Sequence, residues 1–294
     1  MAQATITLET ASDSVVVSAP TMDYLNDDIV LDTNPDGIYD TGFTVRTVSG
    51  AFEIGGRIIG ESVPIREMTL PFWLTPASRP RFQKLWGTPG NFTKVKWKFN
   101  GPSGLRTLTL KLAKEIKYTT EDGFDASVDS VYHAVVSALA VNPMYESAEN
   151  VQVFTNPSAG TNTGYFNVYN PTDQKLWLEW AFDPATSWSF PDFSFNDEKR
   201  WGRTYGQDAA RMIVTPQLTQ LLSVMSDPMM DTYVSADLSN AAGLFNGVEP
   251  IYPVPPYTGT QANPIVMPVI CNGPAGAKAT LRQRRFWSAE SGLE

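Results

Sequence analysis

The stretch IGGRIIGESVPIREMTLPFWL, Ile54 to Leu74, holds the order of pieces on which the fold reading turns. Its first part, Gly55-Gly56-Arg57-Ile58-Ile59-Gly60, reads as a strand loosened by glycine, a residue that marks bulges and close backbone approach inside strands. A second strand follows, with Val63, Ile65, Met68 and Leu70 apolar and Glu61, Arg66 and Glu67 charged. Pro71-Phe72-Trp73-Leu74 closes it and leads into a helix. The glycines do not make a phosphate cradle, because no Lys-Ser/Thr pair follows them and the setting is a strand, not a helix start.

Outward from this stretch the first half is mostly β. Thr75 is placed to cap the helix, Pro76 suits its first position, and Phe82, Leu85 and Trp86 recur at helical spacing before Gly87 stops it. From Phe92 to Asn100 the chain alternates strictly, with Lys94, Lys96 and Lys98 on one face and Val95, Trp97 and Phe99 on the other. Period-two alternation marks a half-buried antiparallel strand. Gly101-Pro102-Ser103-Gly104 turns the chain, and Leu105–Leu112 returns with Leu108, Leu110 and Leu112 on one face, completing a hairpin. A further strand runs through Val131, His133 and Val135 to Leu139 and ends at Asn142-Pro143. Residues 1–146 therefore read as a sheet or barrel with one packed helix.

The second half, residues 147–294, restarts the pattern. Its opening to residue 163 is polar and small, as expected of a linker and an entering strand. Tyr165–Tyr169, the turn Asn170-Pro171-Thr172-Asp173 and Lys175–Phe182 predict a second hairpin, with Leu176, Leu178, Trp180 and Phe182 on one face. Thr215-Pro216 followed by Leu218, Leu221, Leu222 and Met225 suggests a short helix. Prolines 250, 253, 255 and 256 favour an extended loop over a central strand. Val266, Val269 and Ala277–Phe286 supply more strands, and a β-sandwich is the natural closure.

Composition narrows function. The 294 residues suffice for two domains with their own cores. With 22 basic and 31 acidic residues the formal charge is −9, the opposite of the clustered positive surface that grips a phosphate backbone. Cys271 is the only cysteine and has no internal disulfide partner, so nothing argues for an oxidising compartment. The start MAQATITLET lacks a basic segment followed by an apolar core, and no apolar run approaches the ~18 residues of a membrane helix. These features predict a soluble, cytoplasm-made protein.

A catalytic set is not legible. His133 is the single histidine and lies in an apolar strand, where a satisfied ring is the plain reading. No G-x-S-x-G elbow occurs, and one histidine with one cysteine does not furnish a zinc site without carboxylates. Asp27-Asp28 and Asp32-x-x-x-Asp36 lack the spacing and terminal glutamate of a calcium loop and read as solvated acids. Two constellations remain. Lys94, Lys96 and Lys98, joined by Lys111 across the hairpin, form a basic stripe on an acidic protein. It is either a plain exposed sheet face or a contact to an acidic surface of an identical neighbour. Trp177, Trp188, Trp201 and Tyr205 are either core and interface rings or platforms for stacking sugars; with paired carboxylates they would suit glycoside hydrolysis, but the sequence pairs no two carboxylates.

Taken in order, several segments give the chain a resemblance to distal tail proteins, also called minor tail proteins, of non-contractile long-tailed phages of the actinobacteriophage type. They are Gly56-Arg57-Ile58 with Val63–Leu74, the hairpin Trp97–Leu112 and Asn142-Pro143. In the second half they are Asn170-Pro171 with Trp177–Phe182, Met230-Asp231-Thr232 and Arg282-Gln283-Arg284-Arg285-Phe286-Trp287. The resemblance implies a mainly β fold: a tail-tube-like, ring-forming β-barrel or sheet over 1–146 and a galectin-like β-sandwich over 147–294. It implies a homohexameric ring at the distal tail tip of the virion, assembled in the host cytoplasm, joining the tail tube to the tip hub or baseplate. Its implied partners are further copies of itself, the major tail tube protein, hub and tail-associated proteins and the tape measure protein. DNA would pass through the lumen without specific binding, with no cofactor, metal, enzymatic activity or membrane insertion. The alternative is a carbohydrate- or receptor-binding tail module, and a third reading is a cell-wall glycosidase. The chain departs from the family in lacking a clear sugar-site motif and in the long loop from Asp27 to Asp40.

Overall fold

The alternating segments become strands in the computed structural model, which describes residues 4–22, 27–39, 41–52, 54–88, 90–119 and 132–294. The chain makes two units: Met1–Ser147 with Trp287–Leu293, and Ala148–Phe286 with Glu294. In chain order the first part runs β1 (Thr5–Glu9), β2 (Ser14–Ser18), β3 (Ile29–Leu31), β4 (Thr44–Val48), β5 (Arg57–Ser62) and β6 (Arg66–Leu74). Then come α1 (Arg79–Trp86), β7 (Gly87–Thr88), β8 (Asn91–Phe92), β9 (Val95–Gly101), β10 (Gly104–Leu112), β11 (Lys117–Thr119), β12 (Tyr132–Ala140) and β13 (Tyr145–Glu146). The remainder runs β14 (Asn150–Thr155), β15 (Gly160–Val168), β16 (Leu178–Phe182), β17 (Ser187–Pro191), β18 (Met212–Val214), β19 (Leu222–Met225), β20 (Tyr233–Ser235), β21 (Ile265–Gly273), β22 (Lys278–Gln283) and β23 (Phe286–Trp287).

In the first unit the main sheet follows the order β2-β1-β9-β10-β12-β6-β3 and curls into a nearly closed barrel. The β9–β10 hairpin has the expected alternation: Val95, Trp97 and Phe99 face inward opposite Leu108 and Leu110. Each such buried leucine contributes roughly 1.5–3 kcal/mol. The strand read from Val131 is described from Tyr132 onward, Val131 lying outside the described residues. In β12, Tyr132, Ala134, Val136, Ala138 and Ala140 point into the core while His133 and Val135 take the less buried face. The helix packs Phe82, Leu85 and Trp86 inward, with Phe82 edge-on to Phe72 of β6 at 5.0 Å between ring centroids.

That helix starts later than Thr75 and Pro76 suggest. Thr75–Ser78 close a turn of their own, through Ser78 N–H and Arg79 N–H to the Thr75 carbonyl, and Ser78 Oγ donates to the Asp28 carbonyl. Helical structure begins at Arg79, with Pro80 in the first turn, where its missing N–H costs nothing. Gly87 ends the helix as expected. It sits at φ +86, and a Cβ there would lie 2.5 Å from the Asn91 carbonyl oxygen.

The second unit is a β-sandwich. One sheet has the order β14-β22-β16-β19-β20, the other β15-β21-β17-β18, and their inner faces share one core around Trp180, Phe182, Trp188 and Phe190. Two expectations are corrected here. Tyr165–Tyr169 and Lys175–Phe182 are not a hairpin: β15 pairs with β21 in one sheet, and β16 pairs with β19 and β22 in the other. Both segments carry an apolar face, and these faces meet across the interior, with Phe166 and Trp180 edge-to-face at 5.3 Å. The segment from Thr215 to Met225 is not a helix either. Leu222 and Val224 alternate inward along β19, which fills the place between β16 and β20. Val266 and Val269, both in β21, take opposite faces, the first exposed and the second buried. Residues 147–163 hold less linker than expected, since β14 and β15 occupy most of them.

The last residues belong to the first unit. Trp287 lies in its core, with its indole N–H on Ser147 Oγ and the Arg106 guanidinium 4.0 Å over its ring. Buried Arg106 donates to the Ala289 carbonyl at 2.7 Å and the Gly292 carbonyl at 2.6 Å. Charge-assisted bonds of this kind contribute about 1.5–3 kcal/mol each. Deleting residues 289–294 is therefore expected to lower unfolding free energy by more than about 3 kcal/mol, read as a shifted urea midpoint in tryptophan fluorescence.

Candidate assembly surface

Between β3 and β6 the chain leaves the barrel. Among the described residues β4 and β5 pair only with each other, in the register Val45↔Glu61, Thr47↔Ile58 and Val48↔Arg57, with an irregularity after Arg46. Alternation ordinarily lets a hairpin bury one face. Here Val45 and Val48, on opposite faces of β4, are both exposed, and Ile58 and the unpaired Ile59 are 64% and 63% exposed. Phe43, Val63 and Ile65 are exposed as well, and Phe52 and Ile54 at the tip are fully exposed. A two-stranded hairpin is marginal in water on its own, and apolar surface gathered in this way marks an interaction site.

The hairpin's feet are held by Arg66. Its guanidinium is buried and donates through Nε to the Pro143 carbonyl at 2.8 Å and through Nη1 to the carbonyls of Gly37, Ile38 and Tyr39 at 3.1, 3.1 and 2.6 Å. Nη2 reaches Thr41 Oγ1 and the Ser288 carbonyl, and the group lies 5.0 Å over the Tyr145 ring. Thr41 also bonds Ser288, through its N–H and its hydroxyl. Both ends of the hairpin, at Thr41 and Arg66, are thus pinned to one buried point. In sequence Arg66 reads as an ordinary charged strand residue; no local pattern announces six acceptors drawn from three segments.

The basic stripe exists as a sheet face. Lys94 and Lys96 are exposed, Lys98 is half-buried, and Lys111 lies on the same outward face of β10. Lys98 bonds Glu9, which sits opposite Lys96 on β1. The Lys98 bond holds the Glu9 carboxyl below the usual carboxylate range, against a smaller opposing effect of burial, and the charges of Lys98 and Lys96 add to it. Part of the stripe is therefore answered within the chain.

The four aromatic candidates are not one platform. Trp188 is fully buried, with its N–H on the Asp183 carbonyl, because the inner face of β17 points into the sandwich core; it presents no ring face to a sugar. Trp177 is half-buried. Trp201 and Tyr205 share one loop and are exposed, with the Arg200 guanidinium 5.8 Å from the Trp201 ring. Under that loop lie three buried carboxylates the sequence did not single out. Asp192 accepts from the N–H groups of Ile251 and Tyr252 and from Arg211. Asp208 accepts from the Tyr252 hydroxyl at 2.7 Å and Arg203 at 2.9 Å. Glu198 Oε1 accepts from Ser194 Oγ and the Gly206 N–H. They tie the loop down from beneath and do not line an open cleft.

His133 has a satisfied ring: Nε2 is 2.9 Å from Asp32 Oδ2 and the ring packs on Trp73 at 4.9 Å. Burial opposes ionisation of Asp32, yet the Thr33 N–H, Trp73 and His133 together keep its carboxyl below the ordinary range. Asp28 accepts from the Thr75 hydroxyl; Asp40 lies outside the described residues. Among the described residues no group of three or more His, Cys, Asp or Glu is arranged to hold a metal, and no helix is long and apolar enough to cross a membrane.

No family profile matches the chain, and no curated protein matches it. Solved structures do. One is the Dit protein of SPP1, described as a paradigm of the hub adsorption apparatus in phages infecting Gram-positive bacteria. It has a TM-score of 0.56 at 12% identity, over 95% of this chain and 98% of that one. A chain of the phage P2 baseplate, in its activated conformation with Ca, has a TM-score of 0.50 at 10% identity, over 97% and 98%. At such identity the likeness is one of fold.

Two measurements check this site. Arg66→Lys keeps the charge but loses the fork; it is expected to cost about 2 kcal/mol or more and to speed amide exchange across Thr44–Ser62. For Glu9, the depressed native value means its contribution to stability is present above the unfolded value, about 4.3, and is lost as pH falls through the native one. Carboxyl NMR should show Glu9 titrating below an exposed glutamate, and Lys98→Met should return it toward the ordinary range.

Proposed function

We propose that this chain is a structural phage tail-tip protein that forms a homohexameric ring at the distal end of a non-contractile tail. The observation that carries the reading is the β4–β5 hairpin, apolar on both faces and rigidly rooted, which requires a partner surface to become buried. The fold likeness to a Dit hub protein and to a baseplate chain, each spanning nearly the whole length of both chains, supports the same role. In this reading the barrel unit, Met1–Ser147 with Trp287–Leu293, is the tail-tube-like ring former and docks the last ring of the major tail tube protein. The sandwich unit, Ala148–Phe286 with Glu294, is galectin-like and holds hub and tail-associated proteins, with the tape measure protein ending at the same tip. The ring is a virion component assembled in the host cytoplasm.

Charge fits a DNA conduit. Six copies at −9 carry −54 formal charges, and carboxylates turned toward the lumen repel passing DNA. Lys94, Lys96 and Lys111 remain available to meet acidic surface on a neighbour. No catalytic role is proposed.

Trp201 and Tyr205, exposed on one braced loop, favour a second reading as a glycan-binding tail module. Light scattering with negative-stain microscopy separates the two. The expected species is six copies of 32.4 kDa, about 194 kDa, with a central hole. Ile58→Asp with Ile59→Asp is expected to abolish it while leaving the melting temperature within a few degrees, since both side chains are already in water. A strict monomer with saturable glycan affinity, lost in Trp201→Ala, is the outcome that favours the second reading.

A further inference from the structure

The loop from Asp192 to Arg211 sorts its charges by depth. Three of its four acids, Asp192, Glu198 and Asp208, are buried, and the fourth, Asp197, is half-buried. Two of its four cations answer acids beneath: Arg211 pairs with Asp192, and Arg203 with Asp208. The other two, Lys199 and Arg200, are exposed, and among the described residues no carboxylate pairs with either. The Arg200 guanidinium lies beside the Trp201 ring, 5.8 Å from its centre, and its N–H fork makes no hydrogen bond among the described residues. Trp201 is 40% exposed and Tyr205 78%. A chain of formal charge −9 thus displays, on one loop, aromatic rings and unanswered cations.

One buried carboxylate positions both rings. Glu198 opens the short 3-10 helix Glu198–Trp201, and its Oε1 accepts the N–H of Gly206, the residue after Tyr205. Just before that helix Phe195 and Asn196 hold left-handed backbone at φ +50 and +68; a bulky side chain keeps such a conformation only where its surroundings fix it. The surface is therefore formed before a ligand arrives, which spares the ordering cost of binding.

We infer that this loop binds an anionic glycan, sugar rings stacking on Trp201 and Tyr205 while a carboxylate or phosphate on the sugar meets Arg200 and Lys199. The free guanidinium fork matches the two oxygens of an oxyanion, and the aromatic faces match the C–H faces of a sugar. Nucleic acid also offers rings and phosphates, but a protein that grips its backbone neutralises roughly 6–10 of them. Two free cations on an acidic chain suit one or two isolated anions, and a neutral glycan leaves both unanswered. The inference rests on the glycan reading of this loop and adds the charge of the ligand. It is compatible with the ring, since the β4–β5 hairpin belongs to the first unit and the loop to the second.

Calorimetric titration of the full chain tests this. The probes are an oligogalacturonate, its methyl ester, a phosphorylated oligomannose, its dephosphorylated form and a single-stranded DNA oligonucleotide. At least one acidic sugar is expected to bind saturably, about tenfold or more tighter than its neutral form; which one binds assigns the anion as carboxylate or phosphate. Lys199→Gln with Arg200→Gln should erase that margin. Trp201→Ala should weaken the charged and neutral forms together, with Tyr205→Ala as the second variant should the first fold poorly; an unchanged melting temperature certifies each. Equal affinity for charged and neutral forms, or a margin that survives the double glutamine variant, overturns the charge assignment and leaves the glycan reading standing. Binding of the DNA alone makes the loop a nucleic-acid surface and overturns the inference. If the folded protein binds none of the probes, the inference and the glycan reading both fall, while the ring, read separately by light scattering, is untouched.

Discussion

One buried guanidinium organises the first unit. The N–H groups of Arg66 gather the loop at Gly37–Thr41, the turn at Pro143 and the returning segment at Ser288 onto one point beside Tyr145. A charge taken out of water is tolerated only when its donors are satisfied, and carbonyls from separate segments satisfy these. Because Arg66 is also the first residue of β6, the same point fixes where the barrel ends and the hairpin begins. Arg106 repeats the device a short way off, holding Ala289 and Gly292. Two arginines therefore fasten the end of the chain to its beginning.

This rigidity gives the exposed hairpin its meaning. Apolar side chains on a loose excursion would collapse onto the nearest surface; on a rooted hairpin they stand in water at a continuing cost. That arrangement suits a subunit whose folding ends in assembly, where the cost disappears when a neighbour covers the strands. Under the proposed role the acidic surplus has a compatible use, because negative charge repels passing DNA.

Particular residues show where sequence reading held and where it stopped. The alternation from Lys94 to Asn100 and at Leu108 and Leu110 was enough to place the β9–β10 hairpin, since period two has a single solution when one face is apolar. Phe82, Leu85 and Trp86 marked the helix, although Ser78's bond to Asp28 moved its start. Among the site residues, the lysine stripe was legible as a face, but its internal answer from Glu9 was not, because that acid lies 89 positions away from Lys98. Trp188 looked like Trp201 in sequence. Only the facing of β17 separates a core ring from a surface one.

By itself the sequence determined most of the local periods, which faces are apolar and that the balance of charge is acidic, while β19 carried no period that marked it as a strand. These follow from side chains within a few residues of one another. The tertiary structure alone decided which strands pair, so that β15 and β16 face each other across a core and do not run side by side. It also decided that β4 and β5 find no further strand among the described residues, that Arg66 is buried, and that Trp287–Leu293 belongs to the first unit. Each depends on meetings between residues far apart in the chain, where closing the loop costs entropy and the choice among partners is made by the whole core.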